Sequence, residues 1–192
     1  MIINYIHPVS KPLSFSLIII ALIIGMGLGF TLTPEYAAMK VAAVSMDLGP
    51  ADRFLDQRFI NGLISHHLTA IDMSRQALDK SHREDIRTLS EKIIKDDEEA
   101  VKKLYQLKLD WYKDGRQVSQ FTRINLGDND GKFDLRFINA LVTHHDEGIE
   151  TSMDVRTKSN RTEVLNLADS AIINLTASKD QLLSWRQDWY GF

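Results

Sequence analysis

The sequence predicts an all-α protein: an antiparallel four-helix bundle built from two repeated helical hairpins, preceded by an N-terminal transmembrane helix. Three observations carry this. From residue 52 onward apolar residues recur at helical spacing, and no run shows the period-two alternation of a strand. The segment Phe59-Ile-Asn-Gly-Leu-Ile-Ser-His66-His67 is written again 78 positions later as Phe137-Ile-Asn-Ala-Leu-Val-Thr-His144-His145. Ahead of both, residues 13–32 are almost wholly apolar.

The apolar run is long enough to cross a hydrocarbon core, which takes about 20 helical residues. His7 and Lys11 precede it and Glu35 follows it, so the positive-inside rule places residues 1–12 in the cytoplasm. The remaining chain is then periplasmic or otherwise extracytoplasmic. A cleaved signal peptide would need small residues just beyond the run. Val41-Ala42-Ala43 offers them, but too far past Leu32, so the segment reads as an uncleaved signal anchor. Residues 33–51, with Pro34, Gly49 and Pro50, form a linker, and residues 52–192 form the bundle.

Composition narrows the function. The 192 residues carry a net charge of −3, which offers no basic face for nucleic acid. There is no cysteine, which rules out disulfides, thiolate metal sites and thiol nucleophiles together. No P-loop, dinucleotide fingerprint or serine-nucleophile motif is present.

The first bundle helix is expected from about Asp52 to Lys80. Its stripes are Phe59, Leu63, His66, Ala70, Met73, Ala77 and Ile60, Ile64, His67, Ile71, Ser74, Leu78. Ser81-His-Arg-Glu84 has capping-box spacing and marks the start of a second helix ending near Tyr112. That helix sets Ile86, Ser90, Ile93, Asp97, Ala100, Leu104, Leu107 and Trp111 on one stripe. A polar connection over 113–133 leads to a third helix, Asp134 to Lys158. Asn160-Arg-Thr-Glu163 has the cap spacing for a fourth, ending at Trp189-Tyr190.

Offset by 78, the halves 52–112 and 130–190 align without a gap. Asp56, Arg58, Leu63, Leu89, Leu104, Trp111 and Tyr112 meet Asp134, Arg136, Leu141, Leu167, Leu182, Trp189 and Tyr190. One hairpin alone would leave a wide apolar face wet, so the two form one pseudo-twofold domain. The pattern Asp56-x-x-Phe59-Ile60-x-x-Leu63-Ile64-x-His66-His67-x-x-Ala70-Ile71-x-Met73 resembles the DUF305 family. The resemblance implies a small ferritin-like bundle, often secreted or membrane-anchored, with some members linked to copper binding and copper tolerance.

Two adjacent histidines on a core stripe, repeated at equivalent positions, point to metal. Imidazole suits first-row metals, and a thioether adds a preference for Cu(I). The candidate ligands are His66, His67, Met73, His144 and His145, with Asp97 either ligating or orienting an imidazole. Copper is the expected ion, with iron or zinc as alternatives. The reading is therefore a membrane-anchored, extracytoplasmic metal-binding protein for copper storage, delivery or tolerance.

Competing readings are a structural polar network, an interaction scaffold, and a redox enzyme with an iron or copper site. The enzyme would need inward carboxylates on all four helices, and the sequence offers one at most. The second half also departs from the first: Thr151 stands where Met73 does, Leu175 where Asp97 does, and Asp146, Glu147 and Glu150 surround its histidines. One asymmetric site is expected, leaning on His66-His67.

Overall fold

The computed structural model describes residues 48–191, which belong to one compact unit of the chain. The expected transmembrane helix at residues 13–32 lies outside the described residues, as does most of the linker. Among the described residues no helix is long and apolar enough to cross a membrane. They hold four helices and no strand: α1 (Leu55–Lys80), α2 (Glu84–Tyr112), α3 (Phe133–Lys158) and α4 (Thr162–Tyr190).

The helices are not equivalent in burial. α1 and α3 each bury twelve residues, whereas α2 buries four and α4 three, so α1 and α3 form the inner pair and the other two flank them. The doubled apolar stripe read on the first and third segments is the cause, because a wider stripe needs neighbours on more sides. α1 packs on α2, α3 packs on α4, and the hairpins meet through α1 and α3.

Two apolar clusters fix the directions. One joins Leu55, Phe59, Ile60, Leu63 and Ile64 of α1 with Leu104 of α2, Val155 of α3, and Val164 and Ala168 of α4. The other joins Met73 and Ala77 with Ile86, Phe133, Phe137, Ile138, Leu141 and Leu182. α1 therefore runs antiparallel to both α2 and α3, while α2 and α3 point the same way. The expected antiparallel bundle holds within each hairpin and between the inner helices, but not between α2 and α3.

Two parallel helices in succession need a crossover, and residues 113–132 supply it. This strap runs back along α1: Ser65 Oγ donates to the Gln120 carbonyl, Gln76 Nε2 to that of Ile124, and Lys80 Nζ to that of Gly127. Its start is held by Lys108, only 3% exposed, which donates to the Arg116 carbonyl at 2.6 Å and lies 3.6 Å from Asp114.

The repeat survives in the contacts. Arg58 donates to the carbonyls of Leu48 and Pro50, both at 2.6 Å, and Arg136 repeats this on Leu126 at 2.6 Å and Asp128 at 2.8 Å. Each loop curls around its guanidinium through a left-handed glycine, Gly49 (φ 63°) or Gly127 (φ 79°). Arg83 lies 4.3 Å from the Trp189 ring and Arg161 4.3 Å from that of Trp111.

The expected capping boxes do not form. Ser81 is the residue after α1, and its hydroxyl accepts from the Arg83 N–H at 3.1 Å, while α2 starts only at Glu84. Ser159 does the same for Arg161 at 3.2 Å, ahead of α4. The tight reversal from one helix into the next uses these hydroxyls to close a turn two residues on, which leaves none to reach the helix amides.

Candidate metal centre

The site lies where α1 and α3 cross. Residues 66 and 144 are equivalent in the repeat, and their imidazoles stack with centroids 3.7 Å apart and planes 11° apart. The pseudo-twofold axis must therefore pass between these two rings. His67 and His145 are one residue, about 100°, further round their helices. The axis carries them to opposite sides, with ring centroids 6.0 Å from His66 and 6.3 Å from His144 respectively. The four imidazoles form a row, not a cage. Among the described residues no three His, Asp or Glu side chains gather around one point suited to a metal ion.

Close approach at the crossing depends on Gly148. A β-carbon there would fall 2.7 Å from His66 Cε1 and 2.6 Å from Leu175 Cδ1. The equivalent position on α1 is Ala70, so the crossing is tighter on the α3 side of the axis. Sequence reasoning missed Gly148, although a glycine four residues past His144 in a helix interior is a visible signal.

Hydrogen bonds assign the rings' roles. His144 Nε2 lies 3.1 Å from the His66 carbonyl, which can only accept, so this nitrogen carries the proton and Nδ1 the lone pair. His67 Nδ1 donates to Asp97 at 3.0 Å, so Nε2 is the nitrogen that the carboxylate does not engage. His145 Nε2 pairs with Ser178 Oγ at 2.9 Å, while its buried Nδ1 has no partner. The His66 ring is stacked but has no hydrogen bond among the described residues. Ser178 is a second residue the sequence did not reveal, since nothing in its spacing marks it as facing an imidazole.

Burial keeps the rings of His66, His144 and His145 unprotonated. Loss of hydration holds His66 well below its usual range, with its three neighbouring histidines adding to the effect. The same cause pushes His144 down to about 3 and His145 to about 4. Glu147 moves the other way, up to about 7, because it is half-buried beside Glu150 and Asp146. One of its oxygens is buried without a partner.

Of the remaining candidates, Met73 is placed apart and Asp97 joins the row. Met73 is fully buried in the apolar cluster with Phe137 and Leu141, two turns or about 10 Å along α1 from His66. Asp97 faces His67, as the α2 stripe suggested.

Residues 56–132 match the family described as "Domain of unknown function (DUF305)". The Cu(I)-bound structure of CopM is 31% identical over 71% of this chain and 98% of that chain, with a TM-score of 0.63. The chain belongs to the DUF305 family. The Cu(II)-bound form of CopM is 27% identical to this DUF305 chain, covering 70% of it and 97% of CopM, with a TM-score of 0.62. A DUF305 fragment from Deinococcus radiodurans shares the fold at 16% identity and a TM-score of 0.56, over 71% of this chain and 97% of that one. No curated protein matches.

The row fits copper in its donor chemistry. Neutral imidazoles with unused nitrogens are good donors to copper, and Cu(I) accepts as few as two of them. The buried, partnerless Nδ1 of His145 is a polar atom such an ion would satisfy.

Proposed function

We propose that this chain binds copper as cargo through the imidazole row at the α1–α3 crossing, and stores it or hands it on outside the cytoplasm. The observation that carries the reading is four imidazoles in a row, three of them buried and held unprotonated, with the Nδ1 of His145 buried and without a partner. It is supported by the likeness to CopM, whose structures include Cu(I)-bound and Cu(II)-bound forms. The apolar segment 13–32 supports attachment to a membrane, with the bundle on the side away from the cytoplasm.

In this reading His66 and His144 supply the central donors once their stack opens, and His67 and His145 flank them. The opening is needed because an imidazole lone pair lies in the ring plane and parallel rings cannot share one ion. Asp97 orients His67, and Met73 contributes packing in the conformation described. Titrating the purified chain with Cu(I), Cu(II) and Zn(II) tests the assignment. Copper should bind more tightly than about micromolar, and the double variant His66→Ala/His144→Ala should lose that binding while keeping its helical content. Absence of binding by the parent chain, together with strong destabilisation by His→Leu changes, would make the row a structural polar network instead.

A further inference from the structure

The imidazole row has two unlike ends, and the repeat serves as an internal control for what each end does. At one end His67 is 24% exposed, and its Nδ1–H is fixed on the carboxylate of Asp97, itself 19% exposed. A carboxylate on one ring nitrogen holds the tautomer and makes the other nitrogen a better donor. At the other end His145 is 5% exposed and its Nε2 is tied to the Ser178 hydroxyl. The residue equivalent to Asp97 is Leu175, which packs against the α3 crossing at Gly148 and cannot orient an imidazole.

The flanking helices differ in the same sense. Around Asp97, α2 reads Asp96-Asp97-Glu98-Glu99, whereas the equivalent stretch of α4 is Asn174-Leu175-Thr176-Ala177. Asp96 is paired with Lys92, Glu98 with Arg75 and Glu99 with Lys103, but Asp97 has His67 as its partner. The α2 side thus offers a cation a carboxylate already joined to an imidazole, whereas at the His145 end the nearest carboxylate, Asp146, is already paired with Lys179 of α4 at 2.7 Å. Directly behind His67, at 6.0 Å between ring centroids, stands the buried and hydrogen-bond-free ring of His66, stacked in turn on His144.

Resting on the copper reading above, we infer that the His67–Asp97 pair is the portal through which the metal reaches the buried His66/His144 pair, and that the His145 end is closed. The Nε2 of His67, the nitrogen that Asp97 does not engage, takes the ion first. Asp97 compensates part of its charge through the ring, and exchange of one imidazole for the next moves it inward. Asp97 is a positioning residue in this scheme, acting through His67.

The experiment follows Cu(I) uptake by the full-length, detergent-solubilised chain under anaerobic stopped flow, with the ion supplied from a chromophoric competitor. Asp97→Leu reproduces the closed end at the open one, Asp97→Asn keeps the volume should the leucine fail to fold, and Ser178→Ala loosens the other end. The Asp97 variants should slow association about tenfold, and clearly more than Ser178→Ala does. Nitrogen-15 NMR of the metal-free chain should show the Nδ1–H tautomer of His67 in the parent and its loss in Asp97→Leu. Equal slowing at both ends, greater slowing by Ser178→Ala, or unchanged uptake in both Asp97 variants would overturn the portal while leaving copper binding intact. A parent chain that takes up no copper would overturn the functional reading itself, a result that the same traces distinguish.

Discussion

Gly148→Ala tests the geometry of the crossing without touching a donor atom. On helix propensity alone the change should stabilise a helix interior by about 1 kcal/mol. The structure opposes that gain. The new methyl would sit 2.6 Å from Leu175 Cδ1 and 2.7 Å from His66 Cε1. Leu175 is half-buried and can swing its end aside, but His66 is 94% buried and already stacked 3.7 Å from His144. Overpacking of this kind costs about 1–3 kcal/mol, so the variant should be less stable than the parent by up to about 2 kcal/mol. Urea denaturation of a fragment of residues 45–192 gives the free energy, and imidazole NMR shifts report the stack. A gain near 1 kcal/mol with unmoved His66 and His144 resonances would refute the close packing described at the crossing.

Three further outcomes are expected. His144 and His145, depressed to about 3 and about 4, are protonated in the unfolded chain from about pH 6.5 downward but not in the folded one. Their contribution is therefore complete above pH 6.5 and is lost as pH falls toward 4 and 3, which thermal melts across pH 4–7 should show as a falling midpoint. Glu147, raised to about 7 from 4.5, has the opposite sign: what it contributes is complete below pH 4.5 and lost as pH rises through 7. Glu147→Gln should accordingly gain stability over the parent at pH 8 relative to pH 5, and an unchanged difference would remove the burial argument for this carboxyl. Lys113 ends α2 in the left-handed conformation (φ 54°), where the equivalent residue after α4 is Gly191 (φ 81°), so Lys113→Gly should stabilise by about 1 kcal/mol in denaturation.

Much of the architecture was legible because the chain writes it twice. The doubled stripes of Phe59-Ile60-Leu63-Ile64 and Phe137-Ile138-Leu141 mark the inner helices, and the structure buries them on that account. The parallel course of α2 and α3 was not legible, because a polar strap with Gly115, Gly127 and Gly131 looks the same whether it turns back or crosses over. Its path depends on distant partners, Gln76 and Lys80, which bond the strap's carbonyls from 48 and 47 positions away in the chain. The histidines illustrate the same limit. Their repetition says that His66 and His144 are equivalent, but only the position of the axis decides that these two meet while His67 and His145 diverge. Asp97 fell on a stripe that faces the α1 histidines and could be foreseen, whereas Ser178 and Gly148 acquire meaning only from what the crossing places beside them.

On the copper reading proposed above, imidazoles of the row, and not methionine sulfur or surface carboxylates, hold the ion. X-ray absorption at the copper edge of the Cu(I)-loaded chain addresses it directly. A low-coordinate ion with imidazole-nitrogen scattering is expected, lost when His66→Ala and His144→Ala are combined. A spectrum dominated by sulfur, or one unchanged by the double substitution, would contradict it.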